Sequence, residues 1–181
     1  MAVRWGRGRA VGIFTVLIAA GFAGCASSSS SNGSSSAGPT APATTAAPSS
    51  TYLADAKVVE GPVPITGPAR ISGKAYEHSI VQPSYIGSSV ETQYDLGRNC
   101  DQLTFTGGLT DDSTSTGTVQ YEVYGDDKQL ISVRVDFGAE SQQTVSLVSD
   151  LRLKVRNTGI KGRGKLSAAW GNAVIRCRPS S

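Results

Sequence analysis

Apolar and polar residues alternate along the second half of this chain without a helical period. The clearest case is Gly117-Thr-Val-Gln-Tyr-Glu-Val-Tyr-Gly125, where Val119, Tyr121 and Val123 alternate with Gln120, Glu122 and Tyr124. A period of two places one set on each side of an extended chain, the signature of a half-buried strand. Lys128-Gln-Leu-Ile-Ser-Val-Arg-Val-Asp136 follows, with Ile131, Val133 and Val135 on one face. Asp126-Asp127 lies between the two, just after Gly125, and suits a tight reversal; the pair predicts a β-hairpin.

Shorter runs flank it. Val90-Glu-Thr-Gln-Tyr-Asp-Leu96 ends at Gly97, and Gln102-Leu-Thr-Phe-Thr106 puts Leu103 and Phe105 together. A loop is expected over 107–117. Strands are expected again at Thr144–Val148, Leu151–Val155 and Leu166–Cys177. Six or more short strands separated by Gly and Asp turns predict an all-β protein, an antiparallel β-sandwich. Ile71–Ile80 is ordered in character, so the sandwich is assigned to 71–181. Residues 52–70, punctuated by Gly61-Pro62-Val63-Pro64 and Gly67-Pro68, form a lead-in in which Val58-Val59 begins a strand.

The upstream quarter has a different composition. Residues 1–24 combine Arg4, Arg7 and Arg9 with an uncharged apolar run from Ala10 to Phe22, too short for a membrane span, and read as an export signal. It ends in Phe22-Ala23-Gly24-Cys25, which resembles a bacterial lipobox apart from Phe22 standing where Leu is usual. That makes Cys25 the expected lipidation site; the alternative is an ordinary secretory signal with an incidental cysteine. The expected location is the outer side of the cell membrane, held by acyl chains. Residues 26–51 are Ser, Ala, Thr, Pro and Gly with one Asn and no charge. With Cys25 they form a linker, 25–51, expected to be disordered because it cannot bury enough apolar surface to offset its ordering entropy.

The export signal changes the charge picture. The chain has seventeen Lys and Arg against fourteen Asp and Glu, and the three basic residues of 1–24 account for the whole excess. Without them the charges balance, which gives no argument for nucleic acid as a partner. The other two cysteines, Cys100 and Cys177, predict a disulfide outside the cytoplasm; two free thiols are the alternative. His78 is the single histidine. A multi-histidine metal site is therefore excluded, and no cofactor is implied.

The candidate binding groups each have a plainer explanation beside them. Asp111 and Asp112 could offer oxygens to a hard cation or a ligand, or simply cap their loop. Arg152, Lys154 and Arg156 alternate with Leu151, Leu153 and Val155 and so share a solvent-facing side. With Lys161, Arg163 and Lys165 they form a basic region that would suit an anionic polymer or lipid head groups, or would be no more than a solvated face. No nucleophile–base arrangement and no supported carboxylate pair points to an enzyme.

The order of several short motifs resembles the NPCBM family of carbohydrate-binding-module-like domains. They are Tyr94-Asp-Leu-Gly-Arg98, Leu103-Thr-Phe-Thr-Gly-Gly-Leu-Thr-Asp-Asp112, Val119-Gln-Tyr-Glu-Val-Tyr-Gly-Asp126 and Leu151-Arg-Leu153. The resemblance spans about 71–177. It implies a jelly-roll-like sandwich and, in several members, sugar binding from loops at one end. The family's closing Asp-His-Ala-Asp-Trp-Ala-x-Ala segment falls on Leu166–Ala173, where Leu166, Ser167 and Ala169 stand in place of the Asp, His and Asp. Trp170 remains as a platform for a sugar ring, or as a core residue, and Asn172 is a further candidate. The reading is an envelope lipoprotein that binds envelope polysaccharide. The alternative is a structural lipoprotein on the same scaffold that binds another envelope protein.

Overall fold

The computed structural model describes residues 47–178. Among these are eleven strands: β1 (Ser49–Tyr52), β2 (Val58–Glu60), β3 (Ile65–Ile71), β4 (Lys74–Tyr85), β5 (Ser89–Asp95), β6 (Cys100–Leu109), β7 (Gly117–Gly125), β8 (Lys128–Asp136), β9 (Glu140–Ser146), β10 (Arg152–Gly162) and β11 (Lys165–Cys177). The expectations for 1–24, for Cys25 and for 26–46 lie outside the described residues.

Two antiparallel sheets form the sandwich. One runs β3-β4-β11-β6-β9, with β1 also paired to β11; the other runs β2-β5-β10-β7-β8. The eight strands from β4 to β11 thus divide between the sheets as β4-β11-β6-β9 facing β5-β10-β7-β8, the double-Greek-key order of a jelly roll. The predicted hairpin is present with the predicted ends. Gly125 pairs with Lys128, and Asp126 and Asp127 both adopt positive φ, 44° and 69°. Two successive left-handed residues match the right-handed twist of the flanking strands.

Alternation built the core as expected. Val119, Tyr121 and Val123 are buried, facing Leu103, Phe105 and Trp170 across the sandwich. Trp170 is fully buried and packs 4.6 Å from the Phe105 ring and 5.1 Å from the Tyr121 ring, centroid to centroid. Cys100 and Cys177 are joined by a disulfide between the paired ends of β6 and β11.

Three boundaries differ from the sequence reading. Ser49–Thr51, the last residues of the expected linker, belong to β1 and pair with Ile175–Cys177. The lead-in contributes β2 and most of β3, so the folded unit starts well before 71. The expected loop over 107–117 is shorter: β6 continues through the buried Gly107 and Gly108, and the loop is 110–116.

The β3–β4 hairpin explains Gly108. Its tip, Ser72-Gly73, takes φ of 50° and 79° and folds back over the outer face of its own sheet. Ile71 bridges to Thr110, the Ser72 hydroxyl donates to Gly138 O at 2.9 Å, and the Tyr76 hydroxyl donates to Glu140 Oε2 at 2.7 Å. Lys74 pairs with the same carboxylate. Beneath the hairpin, Ile71, Ala69 and Ala169 make a second small core. A Cβ on Gly108 would stand 2.2 Å from Ile71 Cγ2, and one on Gly171 would stand 2.7 Å from the Tyr76 ring. Only a bare backbone lets the hairpin lie this close.

Candidate functional site

The strapping hairpin leaves a groove at its flank. It has a volume of about 590 Å³ and an apolar side formed by Ile65, Pro68, Ala69 and Val81. Its polar side holds Arg70, Asp111, Asp112 and Ser167. The backbone fixes these positions: Asp111 N–H donates to Arg70 O at 2.9 Å and Thr110 N–H to Ser167 O at 3.0 Å. The Gly73 N–H donates to Asp111 Oδ2 at 2.9 Å, and the same oxygen lies 3.9 Å from Arg70 Nε. Asp111 is therefore partly committed to holding the hairpin tip. Asp112 is exposed and makes no hydrogen bond or ion pair among the described residues, so its carboxylate is free to accept. The Thr110 hydroxyl, also in the groove wall, is buried without a hydrogen-bond partner. Together the groove offers carboxylate acceptors, a guanidinium donor and hydroxyls beside an apolar surface, the mixture that a polyhydroxylated ligand requires.

No group of three or more His, Cys, Asp or Glu converges on a point among the described residues. With Asp111 already bonded to Gly73 and close to Arg70, the two aspartates do not make a cation cage.

Trp170 cannot be a platform in this fold, because both faces of its indole are inside the core. Its period-two position on β11 points inward, whereas Ser167 and Ala169 point outward. Asn172 is exposed but stands five residues along β11 from Ser167, at a bulge, with φ 43°. Its Oδ1 accepts the His78 N–H at 3.0 Å, and His78 in turn stacks on Tyr52, centroids 4.0 Å apart. Asn172 thus serves the junction of β1 and β4.

Arg152, Lys154 and Arg156 do share one side of β10, but that side is not a free cationic surface. Arg156 donates through Nε and Nη2 to Glu91 Oε2, at 2.9 and 2.7 Å. Lys154 Nζ reaches Asp127 at 2.9 Å and Glu91 at 3.4 Å. Arg152 lies 3.4 Å from Asp95, and Arg156 sits over the Tyr124 ring at 4.8 Å. Each cation faces an anion on a neighbouring strand, so the patch neutralises itself. Partial burial pushes the Glu91 carboxyl up, but the Arg156 hydrogen bond and the Lys154 and Arg156 charges outweigh it and hold Glu91 below the usual value.

The sequence reading did not single out Arg70. The signal was present in Ser72-Gly73, a turn pair between two apolar-containing segments, but the preceding prolines masked the strand.

This architecture matches known domains. The NPCBM/NEW2 domain model matches residues 33–176. The chain belongs to the NPCBM family. Among solved structures, this NPCBM domain is similar to the Clostridium perfringens ZmpB structure containing an M60 catalytic domain with CBM51-1 and CBM51-2, at 15% identity and a TM-score of 0.58. The similarity covers 72% of this chain and 15% of that one. The ZmpB CBM51-2 and INT domains in complex with GlcNAc give 14% identity and a TM-score of 0.55 over 72% of this chain and 32% of theirs. The CBM51 of Clostridium perfringens GH95 in complex with methyl-galactose gives 15% and 0.55 over 70% of this chain and 99% of that one. This chain therefore spans well under half of the ZmpB proteins and nearly all of the isolated CBM51. At these identities the likeness establishes the fold. No curated protein matches the sequence.

The family departure now has a physical meaning. Leu166 points into the core and Ala169 lies under the strapping hairpin, both fully buried. Ser167, in the histidine position, is the one of the three that opens onto the groove.

Proposed function

We propose that this chain is an extracytoplasmic, membrane-anchored lipoprotein whose NPCBM domain binds envelope glycans in the groove beside Asp111 and Asp112. The observation that carries the reading is the groove itself: an apolar wall faced by polar groups, of which Asp112 and the Thr110 hydroxyl have no partner among the described residues, on a fold whose solved neighbours include complexes with GlcNAc and methyl-galactose. The role proposed is binding, as in the carbohydrate-binding modules that share this fold.

Full-length protein on an array of bacterial envelope glycans tests this. Binding that falls at least tenfold in Asp112→Asn supports the groove, since Asp112 has no structural partner to lose. An array on which nothing binds removes the glycan reading. Lipidation at Cys25 is tested separately, by labelling cells with an alkyne fatty acid. The wild type should take the label and partition with detergent, and Cys25→Ser should do neither; a labelled Cys25→Ser protein would refute the anchor.

A further inference from the structure

The loop 110–116 that walls the groove has a second concavity on its other side. This cleft, about 810 Å³, lies between the 114–118 segment, the Asp136-Phe137 turn and the tip of the β10–β11 hairpin. We propose that it binds the acid group of an anionic glycan, one bearing carboxylate or phosphate. The inference rests on the glycan reading above and names the class of glycan.

Three features carry it. First, Lys161 and Arg163 line the cleft, and neither forms an ion pair among the described residues. Every cation further back on β10 is matched to a carboxylate. A charge without a neighbour of opposite sign keeps its capacity to bind an anion, and a guanidinium can do so through two parallel N–H bonds. Second, the opposite wall supplies hydroxyls from Thr114, Ser115 and Thr116, donors and acceptors suited to sugar hydroxyls. Third, Phe137 lines the cleft and is 37% exposed, giving an apolar ring face beside the cations. Against these two cations the wall holds one carboxylate, Asp136, which accepts a hydrogen bond from the Thr118 hydroxyl, so cationic charge is in excess. The cleft and the groove flank the same loop, and a saccharide lying across it reaches both.

The test uses full-length protein and isothermal titration with polygalacturonate and phosphomannan, each against its uncharged counterpart, methyl-esterified polygalacturonate and unphosphorylated mannan. At least one acidic polymer should bind tenfold or more tightly than its neutral form, and the preference should weaken with salt. The double variant Lys161→Gln, Arg163→Gln should lose that preference while retaining its melting temperature, because both side chains are exposed. Equal affinity for acidic and neutral forms, no binding by either acidic polymer, or an unchanged double variant overturns the inference. If neutral glycans on the array still bind in an Asp112-dependent way, the groove reading survives that failure. Vesicles containing phosphatidylglycerol form a last arm. Binding to them that depends on Lys161 and Arg163, without binding to either polymer, would assign the cleft to a membrane surface and overturn the glycan assignment.

Discussion

The two outer faces of this sandwich carry similar residue types and pair them to different extents. On the face of β5, β10 and β7, cations and anions sit at strand spacing on adjacent strands. Glu91, Arg156, Lys154, Asp127 and Tyr124 meet at hydrogen-bonding or ring-stacking distance, and the surface closes on itself. On the opposite face a hairpin crosses the sheet, and its rim mixes matched charges, Lys74 with Glu140 and Arg70 near Asp111, with Asp112, which has no partner among the described residues. Charge in a ladder is consumed by register, whereas the 110–116 loop leaves part of its charge available, at Asp112. A run of alternating basic residues in a sequence is therefore poor evidence of a binding patch when acidic residues occupy the neighbouring strands.

The contrast can be attacked from several directions. The largest loss belongs to neither face: Trp170→Ala should cost about 4 kcal/mol by opening a cavity between Phe105 and Tyr121. Chemical denaturation would measure it, and a loss under about 1 kcal/mol would mean that the indole is not the centre of the core. Gly108→Ala attacks the strapped face, since the new methyl meets Ile71 and the Ala139 carbonyl. A cost of about 2 kcal/mol is expected, with weakened glycan binding because the hairpin also frames the groove. Unchanged binding with lowered stability would separate strap from groove.

Glu91→Gln attacks the self-paired face and should cost about 1 kcal/mol, the scale of a networked, partly exposed pair. Glycan affinity should not move; if it does, the two faces are coupled. Acid should do the same more gradually. Glu91, Asp126 and Glu140 all have carboxyls held below their usual values, Asp126 by the N–H groups of Leu151 and Arg152 and Glu140 by Lys74 and Tyr76. A depressed folded-state value contributes stability that is complete above the unfolded-state value and is lost as pH falls through the folded one. The melting temperature should therefore drop below about pH 4. Asp150, raised by burial and by the nearby Asp126 charge, acts in the opposite sense and blunts the effect. An acid-stable melting temperature would show that these carboxylates contribute little. Smallest of all, Arg152→Gln should change stability by less than about 0.5 kcal/mol, because its contact with Asp95 is exposed.

Most of the sandwich was legible in the sequence because period-two alternation is a local signal. It gave the β7–β8 hairpin with its ends and the strands near 90, 102, 144, 151 and 166. Where the signal failed, tertiary context had replaced it. Ser49–Tyr52 has no apolar alternation and is a strand because β11 offers it a free edge. Gly107 and Gly108 read as loop because glycine usually marks one, yet both lie in a strand, Gly107 facing Tyr121 in the core and Gly108 leaving room for Ile71 to pass above. The candidate residues fared according to the same rule. Asp111 and Asp112, adjacent in sequence, remain together at the groove. Trp170 had two possible sides of β11, and the inward one put it in the core. The pairing of Arg152, Lys154 and Arg156 depended on which strands flank β10, which no local pattern encodes.

The clasp between β6 and β11 gives the domain a direction. The chain enters at Ser49, whose register partner is Cys177, itself bound to Cys100 at the start of β6. The loop that walls both groove and cleft begins where β6 ends, ten residues on, about 30 Å away at the rise of an extended strand. The entry and that loop thus lie at opposite ends of β6. The groove and the cleft therefore open at the end of β6 away from Ser49, near which the described chain enters the sandwich. The S–S bond acts at one end only: a pull on the chain beyond Cys177 meets this covalent link to β6, whereas a pull on Ser49 meets only the pairing of β1 with β11.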